Sequence, residues 1–258
     1  SQNNMKQDYT QIDPVIKDAV DILQRAAKNS GGLTGIPTGY TGLDDMTSGW
    51  QPSDLVIIAG RPAMGKTSFA LSIAKNVAVD YHIPIGFFSL EMNNVQLVNR
   101  LISNVCEISG HKILNGQLDN TEWERLDRKL RDLTGAPIYI DDTPGLSVFE
   151  LRTKARRLVR EKGVKLLMID YLQLMTGPSN TAAYREQEVS TISRMLKATA
   201  KELEIPIIAL SQLNRNLASR AGSNGRPMLS DLRESGSLLS RMLIWYSLCI
   251  VQQHLGLI

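Results

Sequence analysis

The sequence predicts an α/β fold with a mostly parallel, twisted sheet and helices on both of its faces. Short apolar runs of strand length alternate with longer segments in which apolar residues recur at helical spacing. The short runs are apolar throughout, which is typical of parallel strands buried on both faces. We expect strands at 55–59, 85–89, 138–140, 165–170 and 205–211.

The helices are predicted from their end signals and their spacing. An amphipathic helix ahead of the core begins at Asp13 and Pro14, an N-cap followed by a proline, and ends before Gly31. Its apolar stripe could pack on its own domain or dock on a neighbouring subunit. Capping boxes at 121–124 and 147–150 open two later helices. Further helices are expected from residue 68, over 95–105 and over 184–203, and the segment 38–52 is expected to be turn-rich.

The composition sets broad limits on the type of protein. A net charge of +3 neither requires nor excludes nucleic acid. Two cysteines, Cys106 and Cys249, do not make a disulfide framework and fit a reducing compartment. The polar first residues do not resemble a signal peptide, and the longest apolar run, 242–251, is too short to cross a bilayer. We therefore expect a cytoplasmic protein with no membrane association.

A glycine-rich segment lies between the first strand and the helix that follows it. Residues 60–67 match G-x-x-x-x-G-K-[ST], the phosphate-binding P-loop, in the strand–loop–helix context that the motif needs. The glycines let backbone N–H groups surround a phosphate, and the helix N-terminus adds partial positive charge. Lys66 would reach the β- and γ-phosphates, and the Thr67 hydroxyl can ligate Mg²⁺. The candidate nucleotide-binding residues are Gly60, Arg61, Pro62, Ala63, Met64, Gly65, Lys66, Thr67 and Ser68.

Polar residues at the ends of the other strands are the next candidates, because ligands bind at the carboxyl ends of parallel strands. Asp170 ends an apolar run in a Walker B pattern and could hold Mg²⁺ together with Thr67. Glu91 could accept a proton from an attacking water, and Gln212 could hydrogen-bond a γ-phosphate. Ordinary roles as a cap, a solvated turn residue and a loop residue remain open for these three. Asp141 and Asp142 also follow a strand, and we interpret them as turn residues.

Five segments in this order resemble the motor domain of the DnaB family of replicative helicases. They are 60–67, 88–92, 169–175, 211–215 and 230–236. The resemblance covers about residues 34–237 and implies a RecA-like fold, assembled as a ring of six around single-stranded DNA with ATP between subunits. Primase and a helicase loader are further partners that the resemblance implies. A RecA-type recombinase or clock-type ATPase without helicase activity is the alternative, and a non-catalytic assembly module is a third possibility.

The resemblance also implies a role for each matching residue. Lys66 and Thr67 would bind phosphate and Mg²⁺, Glu91 would be the catalytic base, Asp170 the Mg²⁺-linked carboxylate and Gln212 the γ-phosphate sensor. Arg233, Glu234 and Gly236 would line the central channel and hold the DNA backbone, a contact that is independent of base sequence. The loops 176–185 and 215–226 are further candidates to face the channel.

The chain departs from the family pattern at both ends. The family carries a domain ahead of the first helix, so residues 14–29 would correspond to the linker helix that packs on an adjacent subunit. After residue 237, codons can be chosen so that reading one base earlier restores the family's continuation, Ile-Glu-Gln-Asp-Ala-Asp, an apolar strand and Arg-Pro. The match is too long to arise only from the free choice among synonymous codons.

We therefore expect 1–32 to be a tail and linker helix, 33–237 the ATPase domain, and 238–258 a frameshifted, poorly packed tail. A genuine lineage-specific terminus is the alternative for residues 238–258. The arginine finger that the family places beyond this point is not identifiable here.

Overall fold

A single parallel sheet forms the centre of the molecule. The computed structural model describes residues 11–28, 33–60, 63–175 and 185–212. Within these residues the strand order is β1-β5-β4-β2-β3, and every pairing is parallel. The strands are β1 (Leu55–Gly60), β2 (Ile85–Ser89), β3 (Ile138–Asp141), β4 (Leu166–Asp170) and β5 (Ile207–Gln212). The predicted fold class is confirmed, and each strand bound lies within two residues of its expected position.

The helices of the described residues connect these strands. They are α1 (Ile12–Lys28), α2 (Thr41–Thr47), α3 (Lys66–Lys75), α4 (Asn94–Cys106), α5 (Gly110–Asn115), α6 (Asn120–Leu133), α7 (Val148–Lys162) and α8 (Arg185–Leu203). A π-helical turn, Asn76–Asp80, continues α3, and a 3-10 turn, Leu172–Leu174, follows β4. In this part of the chain no helix has both the length and the apolar character that crossing a membrane requires.

The sheet separates two apolar cores, which explains why its strands are apolar throughout. Leu55, Ile57 and Ala59 of β1 pack with α7 and α8, whereas Val56 and Ile58 pack with α3 and α4. All six residues of β1 are buried. A strand covered on both faces leaves no side chain for solvent, so the alternation of polar and apolar residues disappears. The expected helices on both faces of the sheet are confirmed.

The segment ahead of β1, which was expected to be turn-rich, contains α2. The buried Asp44 carboxylate accepts a hydrogen bond from the Thr38 N–H at 2.8 Å. The Thr38 carbonyl in turn accepts one from Asn76 Nδ2 at 3.2 Å, which ties the segment to the end of α3. Gly39 has a φ of +80°, and a Cβ there would lie 2.4 Å from Asn76 Nδ2, so only glycine fits. The sequence pattern missed α2 because glycine and aspartate are also common in turns.

One of the two predicted capping boxes is displaced. The N-cap of α6 is Asp119, whose carboxylate accepts from the Glu122 N–H at 2.8 Å while the Glu122 carboxylate accepts from the Asp119 N–H at 3.0 Å. Thr121, the expected cap, instead donates its hydroxyl to Asp119 at 2.6 Å. The box formed by Ser147 and Glu150 at the start of α7 is confirmed.

The apolar residues of α1 are exposed to solvent in this chain. The helix begins at Ile12, so Asp13 lies in its first turn and not at the N-cap. Val15 is 49% exposed, Ile22 55% and Leu23 67%. These three side chains belong to the apolar stripe that the sequence predicts, and within the described residues the stripe is not buried in the core of its own chain.

Candidate nucleotide site

The order of the strands brings distant residues together at the carboxyl edge of the sheet. Gly60 at the end of β1 is in register with Gln212 at the end of β5. Ser89 at the end of β2 is likewise in register with Asp170 at the end of β4. The edge therefore gathers the P-loop, the Walker B carboxylate, the predicted sensor and, two residues past β2, Glu91. Ligand sites of parallel sheets lie at this edge.

The lysine of the P-loop forms a hydrogen bond with the first residue of the same loop. Gly65, with a φ of +78°, forms the N-cap of α3, and the helix starts at Lys66. The Lys66 ammonium donates a hydrogen bond to the Gly60 carbonyl at 2.9 Å. Burial lowers the pKa of Lys66, while the negative charges of Asp170 and Glu91 oppose that shift. A cation held in this way, beside the N–H groups of a helix N-terminus, makes a strong anion-binding position.

The Walker B carboxylate contacts the threonine of the P-loop directly. Thr67 donates its hydroxyl to Asp170 Oδ2 at 2.8 Å, and both side chains are buried. Burial raises the pKa of Asp170, and the nearby Glu91 adds to the shift. The Thr67 hydrogen bond and the charges of Lys66 and Arg100 act in the opposite direction without cancelling it. A buried carboxylate with a raised pKa is one that an added cation would stabilise.

Glu91 lies at the mouth of an open cleft beside the P-loop helix. The cleft has a volume of about 620 Å³, and Ser68, Glu91 and Arg100 are among the residues that line it. The turn that carries Glu91 is fixed by two hydrogen bonds: the Leu90 N–H donates to the Asp170 carbonyl at 2.8 Å, and the Ser89 hydroxyl donates to the Met92 carbonyl at 2.6 Å. Glu91 itself is exposed and can meet solvent water.

Arg100 is a site residue that the sequence reasoning missed. It belongs to α4, lines the same cleft as Glu91, and its charge acts on the Asp170 carboxyl. Gln96, Arg100 and Ser103 line the cleft at helical spacing. The spacing of this polar stripe is visible in the sequence, but only the packing of α4 beside α3 shows that the stripe faces the cleft.

Gln173 was also missed, although it lies within one of the family-like segments. Its side-chain amide forms hydrogen bonds with Ser211 and Gln212 at the end of β5. Gln212 thus has the P-loop strand on one side and the turn after β4 on the other. Nothing in the spacing of residues 169–175 indicates this contact.

Asp141 and Asp142 hold loops in place beside the site. Asp141 accepts from Lys154 Nζ at 2.7 Å and from the Thr143 N–H at 3.0 Å. Asp142 accepts from the Asn94 N–H at 2.9 Å, where α4 begins. The interpretation of Asp141 as a turn residue is wrong, because this residue is the last of β3, and Asp142 is the first residue after the strand.

Several predicted site residues lie outside the described residues. They are Arg61 and Pro62 of the P-loop, Arg233, Glu234 and Gly236 of the predicted channel segment, and the loops at 176–184 and 215–226. The predicted tail at 238–258 lies outside them as well.

A P-loop and a Walker B carboxylate on this parallel sheet define a P-loop NTPase with the RecA-like fold. Residues 35–240 match the model of the DnaB-like helicase C terminal domain, and the chain belongs to that family. This assignment agrees with the resemblance found in the five sequence segments.

Two curated relatives are replicative DNA helicases named DnaB. The chain is 46% identical over 230 residues to that of Geobacillus stearothermophilus, an alignment covering 89% of this chain and 50% of the relative. It is 50% identical over 214 residues to that of Nostoc sp., covering 82% of this chain and 24% of the relative. The chain thus spans about half the length, or less, of these relatives.

Solved structures agree with this assignment. A solved ATPase domain superposes with a TM-score of 0.81 at 38% identity, covering 90% of this chain and 80% of that one. A DnaB-like replicative helicase, described together with its interactions with primase, superposes with a TM-score of 0.77 at 38% identity, covering 90% of this chain and 55% of that one.

Proposed function

We propose that this chain is the motor of a replicative DNA helicase, which hydrolyses ATP to move along single-stranded DNA and unwind duplex as a ring of six. The observation that carries the proposal is the meeting of Lys66, Thr67, Asp170, Glu91 and Gln212 at one edge of the sheet. Family membership supports a role in DNA unwinding, because the curated relatives are named replicative DNA helicases.

The nucleotide would be held by the loop between β1 and α3. The backbone N–H groups at the start of α3 and the Lys66 ammonium supply positive charge to the β- and γ-phosphates. In the structure Lys66 bonds to the Gly60 carbonyl at 2.9 Å, so it already points across the loop. Arg100, which faces the same cleft from α4, would add a second cation beside the phosphates.

Magnesium fits the oxygen donors that the site offers. Mg²⁺ is commonly held by one or two protein oxygens together with substrate phosphates and water. Thr67 and Asp170 supply a hydroxyl and a carboxylate 2.8 Å apart, and both are buried. When bound, the ion would neutralise charge on the phosphates. These two residues would hold it, Thr67 directly and Asp170 directly or through water.

Glu91 and Gln212 would act on the two sides of the reacting phosphate. Glu91 is an exposed carboxylate at the mouth of the cleft, so it can orient water and accept its proton. Gln212 ends β5 in register with Gly60, which puts its amide at the P-loop end of the sheet. An amide there can hydrogen-bond the γ-phosphate and change partner when that phosphate leaves.

DNA would be held by Arg233, Glu234 and Gly236, together with the loops 176–185 and 215–226. This part of the proposal rests on the family pattern, since most of these residues lie outside the described ranges. Contacts to phosphates predict binding that is indifferent to base sequence and weakens as salt rises. Arg233→Ala should lower the affinity for all single strands alike and reduce the salt slope by about one contact. An unchanged slope in the folded variant would remove Arg233 from the channel.

Assembly would use α1. Its exposed apolar stripe supports docking on a second copy of the chain, since a stripe of this kind needs a partner surface. A solved relative is described with primase, and primase and a helicase loader are partners that we propose for the whole protein.

We also propose the division into 1–32, 33–237 and 238–258. Sequencing the genomic DNA across codons 235–260 tests the frameshift at the last boundary.

Hydrolysis and strand displacement measured on one preparation test the function. We expect ATP hydrolysis that single-stranded DNA stimulates, and displacement of a labelled strand from a forked duplex. Hydrolysis without displacement would favour a RecA-type or clock-type ATPase. Loss of both in a folded chain that binds nucleotide would favour an assembly module.

A further inference from the structure

We infer that Gln173 is a positioning residue for Gln212 and that it couples the end of β5 to the turn that follows β4. The inference rests on the proposed function, in which Gln212 responds to the γ-phosphate. It gives a role to Gln173, which contacts Gln212 and has no direct part in binding nucleotide or Mg²⁺ in that proposal.

The contact uses both ends of the Gln173 amide. Nε2 donates to Ser211 Oγ and to the Gln212 carbonyl, each at 3.0 Å. Oε1 accepts from the Gln212 N–H at 3.3 Å. One side chain therefore binds both the N–H and the C=O of a single backbone residue, a task that two backbone groups of a neighbouring parallel strand would otherwise perform.

This arrangement compensates for the early end of a strand pairing. The register between β4 and β5 ends at Ile169 and Ala209, because the chain leaves the sheet after Asp170. Gln212 therefore lies beyond the last paired residues on the β4 side. The amide of Gln173 supplies the missing donor and acceptor there, and backbone groups left without a partner would be free to move.

The turn that carries Gln173 is anchored on both sides. Leu172 and Met175 are buried in the core, whereas Gln173 between them is exposed. The Met175 N–H donates to the Leu172 carbonyl at 3.1 Å, which closes the turn. Because its flanks are fixed, an exposed glutamine can hold a strand end in one position.

Glutamine is the residue type that this geometry requires. Its amide has a carbonyl acceptor and two N–H donors in one plane. Glutamate keeps an acceptor for the Gln212 N–H but has no donor for the Gln212 carbonyl. Alanine removes all three hydrogen bonds.

Amide hydrogen exchange in the whole chain tests the positioning directly. In Gln173→Ala we expect exchange at the Gln212 N–H to be about tenfold faster than in the unmodified chain. Gln117→Ala is the matched control, since Gln117 is an exposed glutamine in the loop between α5 and α6. Unchanged exchange in Gln173→Ala would overturn the inference, and this readout does not depend on whether the chain hydrolyses ATP.

A double-mutant cycle tests whether Gln173 acts through Gln212. We expect Gln173→Ala to lower kcat for ATP about tenfold with KM changed less than about twofold, as expected when a group acts on the transition state. In a Gln212→Ala background the same change should have no further effect. Gln173→Glu should lower kcat as much as Gln173→Ala does. Because glutamate fills the same volume, an equal loss shows that the missing donor, and not a loosened turn, is the cause.

Additive losses in the cycle, or a rise in KM alone, would overturn the coupling. A chain that binds ATP without hydrolysing it would contradict the proposed function instead, and the exchange experiment would still decide the positioning claim.

Discussion

Thr67 and Asp170 are joined by a hydrogen bond of 2.8 Å, although 103 positions separate them in the chain. One ends the P-loop and the other ends β4, so the bond requires β1 and β4 to lie in their observed places on the two sides of β5. Both side chains are buried, and burial raises the pKa of Asp170.

Asp170→Asn should remove Mg²⁺-dependent hydrolysis while keeping the fold. An asparagine carbonyl can still accept the Thr67 hydroxyl, but it lacks the negative charge that a divalent ion needs. We expect hydrolysis to fall at least a hundredfold, the size of loss typical when a charge-stabilising group is removed from an active site. Steady-state ATPase rates across a Mg²⁺ titration measure this effect. Thr67→Ser keeps the hydroxyl and should retain most activity; equal rates for Asp170→Asn and the unmodified chain would exclude the carboxylate from the metal site.

The same substitution should stabilise the nucleotide-free chain at neutral pH. Because the folded pKa of Asp170 is raised above its ordinary 3.8, the carboxyl contributes stability that is fully present below the unfolded pKa. That contribution is lost as the pH rises through the folded pKa. Asp170→Asn should therefore melt a few degrees higher at pH 7, with the gain shrinking as the pH falls towards 4. Thermal melts of Asp170→Asn and of the exposed Asp127→Asn make the comparison, and a gain that grows with acidity would contradict the sign.

Lys66→Ala should abolish hydrolysis because it removes the positive charge that faces the β- and γ-phosphates. We expect at least a hundredfold loss in rate and weaker nucleotide binding. Lys75→Ala is the matched control: it removes a lysine from the other end of α3, where a surface ion pair with Asp80 contributes about 1 kcal/mol at most. Equal hydrolysis in the two variants would mean that Lys66 does not contact the phosphates.

Glu91→Gln should keep nucleotide binding and lose hydrolysis, since the amide fills the same space but cannot accept a proton. Fluorescent nucleotide binding and single-turnover hydrolysis separate the two effects. Glu124→Gln changes an exposed glutamate on α6 in the same way and should behave as the unmodified chain. If both variants hydrolysed ATP equally fast, the base would have to be sought elsewhere in the cleft.

A charge placed in the apolar stripe of α1 should weaken self-association and leave the core folded. Ile22 is 55% exposed, so Ile22→Asp removes no core contact but adds a charge where a partner would bury the stripe. Sedimentation velocity in ATP and Mg²⁺ measures the distribution of oligomers. Asp18→Ala, on the same helix, is the control for helix content. An unchanged distribution for Ile22→Asp would show that the stripe lies outside any interface.

The sequence predicted the strands well because their signal is local. Each strand is a continuous apolar run. Alternate residues of β1 pack in the two different cores, so a strand buried on both faces is apolar at every position. The P-loop, Asp170, Glu91 and Gln212 could be found for the same reason, since each follows such a run.

What the sequence could not give was contacts between side chains of different elements. Gln173 bonds to Gln212, 39 positions away, through an amide whose direction depends on where β4 leaves the sheet. Arg100 reaches the cleft only because α4 packs beside α3.

The cap of α6 was placed at Thr121 and not at Asp119 because both residue types favour caps. The hydrogen bond from the Thr121 hydroxyl to Asp119 joins the two residues at the start of the helix.

The pairing of β1 with β5 joins two strands that are synthesised at well-separated times. Gly60 is in register with Gln212, so the strand that carries the P-loop gains its neighbour only after about 150 further residues have been made. In the described residues β1 has no other strand beside it. During synthesis, the P-loop strand would therefore have no neighbouring strand until β5 is made, and its apolar side chains would be accessible to chaperones. Nucleotide capture by the nascent chain would then report the arrival of β5, because β5 is the strand that lies beside the P-loop strand and carries Gln212.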